Sequence, residues 1–277
     1  LKARGGFETA KEKDGPDEWI LAITRTANPD EKRKYFKDIL RELKKGNVSE
    51  ETRERAKTAF KEIDAKTLGI LEQELMAEGV SREDIRTHLC DIHLDVMRES
   101  LVKNRIEPPA LHPVSTLMEE HKLILGFLDR LGRLVDAMRS KNSFDECGPE
   151  LEELKDLAHH LVEAEKHHQR EEDVIFPKLA RHGIGEPGDI MKLDHAEFRK
   201  RKQGLFKLAS AGRSQDFDEF KQKVVEYGEF LTRELDAHIF KEDNILYQIA
   251  LQVFSKDYWD EVNRECDKIG YCCYTPP

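Results

Sequence analysis

The first third of the chain shows the hydrophobic pattern of short amphipathic helices. Apolar residues recur at three- and four-residue steps from Tyr35 to Leu43, the spacing that places side chains on one face of a helix. Gly46 and Gly79 interrupt this pattern, and glycine commonly follows the end of a helix. The last of four predicted helices begins at Ser81, a residue type that caps helix N-termini.

Longer amphipathic stretches follow the segment NRIEPPALHP, whose three prolines cannot continue a helix and so mark a domain boundary. The four stretches span about 114–139, 149–182, 188–211 and 215–251. Four long helices with short connections predict an antiparallel four-helix bundle, and the fold class is therefore all-α. The predicted divisions are a polar arm (1–30), an N-terminal helical domain (31–108), the bundle (109–254) and a short helix with a tail (255–277).

Composition and charge narrow the classes of function. The chain carries a formal net charge of -10, which disfavours non-specific nucleic-acid binding because that binding depends on neutralising phosphates. No apolar stretch approaches the ~20 residues of a membrane-spanning helix, and the first residues lack an apolar signal core. Five cysteines without a CxxC spacing favour free thiols over a disulfide framework. We therefore expect a cytoplasmic protein with neither a nucleic acid nor a membrane as its partner.

The second and fourth bundle helices contain similar sequence segments, and this internal repeat is called the echo below. HHQREEDVIF at 167–176 aligns with HIFKEDNILY at 238–247. The alignment pairs two histidines and, four residues later, two glutamates: His167 with His238, and Glu171 with Glu242. A His and a Glu four residues apart share one helical face, and the apolar residues that follow predict that this face is buried.

The first and third bundle helices each add one histidine on an apolar stripe, His121 and His195. One such histidine is more often a hydrogen-bonded core residue than a metal ligand. A histidine on every helix, together with two carboxylates, favours a metal site, because burying these groups without a partner would cost several kcal/mol, to order of magnitude. Imidazole and carboxylate together suit iron, manganese or zinc.

With these residues the chain resembles the hemerythrin-like, HHE cation-binding family over about 110–250. Its pattern is His on the first helix, HxxxE on the second, His on the third and HxxxE on the fourth. The resemblance implies a non-haem di-iron centre with six ligands: His121, His167, Glu171, His195, His238 and Glu242. The two glutamates would bridge the irons, with His121 and His167 on one iron and His195 and His238 on the other. Open positions would then bind O2, NO or peroxide.

The N-terminal region resembles an uncharacterised helical domain that often precedes hemerythrin-like domains, on the stretches LEQELMAEGVSREDIRTHLCDIH and DKIGYCCYTP. Relatives with this arrangement often continue into a sensory PAS domain, whereas this sequence stops at Pro277. The N-terminal domain could bind a protein partner.

The chain departs from the oxygen-carrying hemerythrins in two places. Arg199 stands where those proteins have a second histidine on the third helix, which makes reversible O2 carriage doubtful. Asp243 follows Glu242 and is a rival bridging carboxylate, although the echo favours Glu242. Three further groups could add ligands, but a supporting or solvent-facing position suits them better: His160, Glu163 and His168.

Two other clusters could carry chemistry. His88, Cys90 and His93 form HLCDIH in the N-terminal domain. Their spacing matches no closed zinc pattern, and a structural or interdomain role is favoured over a regulatory ligand. Cys272 and Cys273 could form a redox-active pair, although small buried or idle thiols are the commoner interpretation.

Three functions follow from these residues. The first is a di-iron protein that binds or senses O2, NO or a redox state. The second is a di-iron enzyme that reduces NO or peroxide, or that supplies iron for cluster repair. The third is a structural or storage bundle that holds a metal such as zinc. A dry pocket lined by Leu117, Leu125, Phe198 and Ile239 would favour the first function, and a channel with Glu119, Glu163 or Glu234 would favour the second.

Overall fold

The computed structural model describes residues 29–43, 49–60, 65–81, 98, 101–103 and 105–274. Within these ranges the regular elements are helices and no strand occurs, which confirms the predicted all-α class. The chain divides into two compact units, Leu1–Arg105 and Ile106–Pro277.

The N-terminal unit contains three described helices. They are α1 (Pro29–Leu43), α2 (Glu50–Phe60) and α3 (Ala65–Ala77). Their apolar faces pack together through Leu40, Ala56 and Leu75, which are buried. Lys37 and Glu78, whose Nζ and Oε1 atoms are 2.7 Å apart, add an ion pair between α1 and the residue after α3. The helix predicted from Ser81 and most of the polar arm lie outside the described residues, as do His88, Cys90 and His93.

The second unit is an antiparallel four-helix bundle with one further helix. Its members are α4 (Pro113–Arg139), α5 (148–181), α6 (Glu186–Ala211), α7 (217–253) and α8 (Lys256–Ile269). Each bundle helix packs against the next in chain order, and α7 packs back against α4. The last helix, α8, packs against α4 and α5. The bundle helices begin and end within a few residues of the predicted ranges.

Side-chain hydrogen bonds to backbone N–H groups hold the start of α4 and the segment before it. The His112 ring caps α4 by accepting a hydrogen bond from the N–H of Val114 at 3.2 Å, and it packs edge-on against Trp259. Gln248 accepts the N–H of Ile106 at 2.6 Å. The His112 contact satisfies an N–H group that has no partner within the first turn of α4, and the Gln248 contact pairs a backbone N–H of the segment before α4.

Short π-helical turns interrupt α5 and α7. They lie at Glu171–Ile175, Leu231–Leu235 and Glu242–Leu246. The first and third begin at the two echoed glutamates, so the repeat in sequence is also a repeat in backbone conformation. Such turns are frequent at functional sites because they change the direction of the side chains that follow.

The bundle interior is apolar on both sides of the layer that holds the echoed histidines. One side is a buried cluster that includes Leu128, Leu157 and Leu231. The other side includes Ile175 and Leu246, both buried. None of the helices in the described part of the chain has the length and apolarity that crossing a bilayer requires.

Candidate metal centre

The Nε2 atoms of four histidines, one from each bundle helix, converge in the interior. Those of His121 and His167 lie 2.9 Å apart, and those of His195 and His238 lie 2.9 Å apart. All four residues are buried. Two nitrogens that each lie about 2.0–2.1 Å from one metal ion, at roughly a right angle, are separated by about this distance.

Both echoed glutamates lie between the two histidine pairs. Glu242 places Oε1 2.8 Å from Nε2 of His238 and Oε2 3.2 Å from Nε2 of His121. Glu171 places Oε2 3.6 Å from Nε2 of His167 and 3.6 Å from Nε2 of His195. Each carboxylate therefore faces one histidine of each pair, which is the arrangement required to bridge two ions.

The outward Nδ1 atom of each of these histidines meets a carboxylate of a neighbouring helix. The pairs, with their Nδ1 to oxygen distances, are His121 with Asp243 (2.7 Å), His167 with Glu120 (2.7 Å), His195 with Glu172 (2.9 Å) and His238 with Asp194 (3.1 Å). Each Nδ1–H donates to its carboxylate, which orients the ring so that Nε2 faces inward. A histidine held in this way is a stronger and better oriented metal ligand.

The four supporting carboxylates form a ring around the bundle. Each comes from the preceding helix of the ring: α4 supports the histidine of α5, α5 that of α6, α6 that of α7, and α7 that of α4. Each also neighbours an inward-facing residue in sequence, as in EH at 120–121, EE at 171–172, DH at 194–195 and ED at 242–243. Of these four carboxylates, the sequence analysis singled out only Asp243, as a rival bridging carboxylate. The acidic residue next to each inward-facing residue is the sequence signal that could have indicated the other three.

The charged groups in the centre shift one another's pKa values. Burial and the neighbouring charge of Glu242 raise the pKa of Glu171 well above its usual range. Burial opposes ionisation of Glu242 too, but His238 and His121 hold its pKa well below the usual range. Burial and the charge of His121 lower the pKa of His167 to about 4. A divalent cation among these groups would compensate the buried carboxylate charges and coordinate the neutral imidazoles.

Tyr247 completes the centre and was missed by sequence reasoning. Its hydroxyl donates to Oε1 of Glu171 at 2.6 Å, and its ring stacks on that of His121. The other carboxylate oxygen of Glu171, Oε2, is buried and has no hydrogen-bond partner. A buried carboxylate oxygen without a donor is unfavourable, so these residues fit a metal ion that this oxygen would coordinate.

The other candidate ligands occupy different places. Asp243 lies outside the layer of converging Nε2 atoms and accepts the Nδ1–H of His121. His168 is buried, and its ring stacks on that of His195 with centroids 3.9 Å apart. His160 stacks on Phe127 at the bundle surface. Arg199 binds Glu165 and Glu172 and so reaches the centre only through the carboxylate that supports His195.

Among the described residues, three groups of buried donors are close enough together to hold an ion. They are His121 with His167 and Glu242, His168 with Glu171 and His195, and His195 with His238 and Glu242. The first and third groups share Glu242. The geometry thus brings all six sequence-predicted residues into one layer, and it adds His168 at the edge of that layer.

Two protein families match the chain. Residues 112–250 match the hemerythrin HHE cation binding domain. Residues 36–103 match a family of unknown function, DUF438. These matches confirm both resemblances in the sequence, and the first covers half of the chain. No curated protein matches it.

Proposed function

The chain belongs to the hemerythrin HHE cation-binding domain family, and we propose that it binds two non-haem iron ions and, at those irons, O2 or NO. Four histidines and two glutamates would hold the metal. His121 and His167 would bind one ion, and His195 and His238 the other. Glu171 and Glu242 would bridge both.

One observation carries this proposal: each glutamate faces one histidine of each pair, at distances of 2.8–3.6 Å. A site for one ion would need only a single set of converging donors. Two pairs of nitrogens with two carboxylates between them instead favour two ions. Nitrogen and carboxylate donors together suit iron, and two histidines per ion leave coordination positions for a further ligand.

The protein's own residues would set the properties of the centre. Glu120, Glu172, Asp194 and Asp243 hold the histidine rings by accepting their Nδ1–H groups. Tyr247 holds Glu171 by donating its hydroxyl hydrogen. Bound iron would supply open positions and a redox couple for a diatomic ligand.

The surroundings favour ligand binding over proton-coupled reduction. Of the four residues of the predicted dry pocket, Leu117, Phe198 and Ile239 are buried, whereas Leu125 is only partly buried. The acidic residues that could have lined a proton channel lie instead at the surface and pair locally. Glu119 binds Lys122, Glu163 lies near His159, and Glu234 binds Arg233. An apolar surrounding suits a small uncharged ligand such as O2 or NO.

Metal content and optical spectra test this function. We expect the protein, purified without oxygen and loaded with ferrous iron, to hold two irons per chain and to change its absorption on exposure to O2 or NO. His159→Ala, which removes an exposed histidine outside the layer, is the matched control and should retain both properties. Binding of a single zinc ion in preference to iron, without a spectral response, would contradict the proposal and favour a structural metal.

A further inference from the structure

The segment after α8 places two adjacent cysteines beside the centre. The Sγ atoms of Cys272 and Cys273 are 3.2 Å apart, and both residues are half-buried. The backbone N–H of Cys272 donates to Oε1 of Glu120 at 3.3 Å. The other oxygen of Glu120 accepts the Nδ1–H of His167 at 2.7 Å. One backbone N–H and one carboxylate therefore connect the thiol pair to a histidine of the centre.

A few hydrogen-bond donors hold the carboxylate of Glu120 in position. It is fully buried, and Arg170 binds the same oxygen that His167 binds. Tyr271, next to the cysteines, lies with its ring 4.9 Å from the guanidinium carbon of Arg170. A buried carboxylate is sensitive to the loss of any one donor. A change in the backbone at Cys272 would therefore alter the position of Glu120 and, through it, of His167.

These two thiols differ from the other described cysteines. Cys147 and Cys266 are buried, and burial raises the pKa of Cys266 to about 11, so that it stays protonated and unreactive. The hydrogen bond from Cys272 lowers the pKa of Cys273, and the charge of Arg170 adds to this effect. The thiolate is the reactive form of cysteine, which makes Cys273 the nucleophile of the pair.

We propose that Cys272 and Cys273 are a redox-active dithiol, that a hydroperoxide oxidises them to a disulfide, and that this oxidation weakens metal binding through Glu120 and His167. The thiol oxidation requires only Cys272 and Cys273, whereas its effect on metal binding rests on the proposed function.

The oxidation is a two-step reaction that consumes one hydroperoxide. The Cys273 thiolate attacks an oxygen of the peroxide; an S–O bond forms, the O–O bond breaks, and the leaving oxygen takes up a proton as water or an alcohol. The Cys272 sulfur, losing its proton, then attacks the Cys273 sulfur; the S–S bond forms, the S–O bond breaks, and water leaves. Two thiols are oxidised and one peroxide is reduced.

Closing this ring must move the backbone. Adjacent α-carbons are about 3.8 Å apart across a trans peptide, whereas disulfides usually join α-carbons about 4.4–6.8 Å apart. The main chain at both cysteines must therefore rotate as the sulfurs approach from 3.2 Å. Because the Cys272 N–H is the donor to Glu120, that rotation disturbs the support of His167.

Thiol counting and mass spectrometry test the oxidation. We expect one equivalent of hydrogen peroxide to remove two titratable thiols from the full chain, to lower its mass by two hydrogen atoms, and to link Cys272 to Cys273 within one peptide. Dithiothreitol should restore both thiols. Cys273→Ser should abolish the reaction, and Cys147→Ser, which removes a buried thiol elsewhere, should leave it unchanged. A link to Cys266, a link between chains, or no loss of thiols would overturn the proposal.

Zinc release tests the effect on the centre, since zinc has no redox chemistry of its own with peroxide. We expect the oxidised zinc-loaded chain to bind zinc about 10-fold more weakly than the reduced chain, the effect typical of a lost supporting contact to a metal-bound histidine. Glu120→Gln should weaken binding in both states and remove the difference between them. Equal affinity of the oxidised and reduced wild-type chains would overturn the coupling. A chain that takes up neither zinc nor iron would contradict the proposed function, and the thiol and mass results would then decide whether the dithiol is redox-active.

Discussion

At the scale of single residues, the proposed metal centre depends on pairs of side chains in which one faces the interior and the other holds its partner in place. His195 illustrates this arrangement, because its Nε2 faces Glu171 and Glu242 while its Nδ1–H donates to Glu172. A histidine without such a support can rotate and can change its tautomer. The supporting residues are therefore expected to matter almost as much as the ligands.

Removal of a proposed ligand should cause a much larger loss of bound metal than removal of the other buried histidine, His168. We expect His238→Ala to lower the iron content below two per chain and to lower the melting temperature. We expect His168→Ala to keep two irons, because His168 packs on His195 and belongs to neither of the two groups of donors that share Glu242. Metal analysis after reconstitution measures this difference. Equal losses of iron from both variants would show that the alignment of 167–176 with 238–247, which pairs His167 with His238, is wrong.

Removal of a supporting charge should weaken metal binding without removing a ligand. Asp194→Asn preserves the shape of the side chain but removes the carboxylate charge that holds His238 at 3.1 Å. We expect metal affinity to fall about 10- to 100-fold, as measured by competition with a chelator. Asp218→Asn, at an exposed position near the start of α7, is the control. An unchanged affinity for Asp194→Asn would argue against the role of the carboxylate ring.

At the scale of elements, close helix packing keeps the four histidines in one layer. Gly228 of α7 is buried against α4, and a Cβ atom there would overlap with Cγ2 of Val135. Gly204 of α6 is similarly close to the ring of Tyr227. These contacts set the separation of neighbouring helices and therefore the distances between their histidines.

Gly228→Ala should destabilise the bundle, although alanine is the better helix former. Overpacking of this kind typically costs about 1–3 kcal/mol, and the free energy of unfolding should fall by that order. Gly126→Ala is the matched control, because a Cβ there meets nothing within 4 Å and the substitution should stabilise the helix by about 0.5–1 kcal/mol. Urea unfolding of metal-free protein measures both changes. A stabilised Gly228→Ala variant would contradict the packing described here.

The helices and the inward-facing histidines and glutamates could be predicted from sequence. Three of the carboxylates that hold those histidines could not. The helices follow from apolar periodicity, and the echo between 167–176 and 238–247 fixed which of two neighbouring histidines faces inward. Glu120, Glu172 and Asp194 support histidines on other helices, so their partners depend on which helix packs beside which. The π-helical turns and the hydrogen bond of Tyr247 likewise depend on tertiary packing, which overrides local preference.

At the scale of the whole molecule, bound metal should be a main source of stability for the bundle. The six proposed ligands are among the polar side chains buried in its interior, and metal that binds only the folded state stabilises it. The N-terminal unit has its own buried apolar face at Ile39 and Leu71. Its predicted role as a contact for a protein partner stays a prediction.

Chelation should lower the melting temperature of the bundle. Free metal at 100 times the dissociation constant would add about 2.7 kcal/mol, and each kcal/mol corresponds to about 2–4 °C for a unit of this size. We therefore expect calorimetry to show a fall of several degrees on metal removal. His238→Ala is the control and should show a much smaller change. A melting temperature that does not respond to chelation in the wild-type chain would mean that metal does not hold the bundle together.

The most direct test of the central claim is an anomalous-scattering map, recorded at the iron edge, from crystals of the iron-loaded protein. We predict two iron peaks about 3.5–4 Å apart, between Glu171 and Glu242, with one histidine pair beside each. A single peak, or peaks away from these residues, would contradict this prediction.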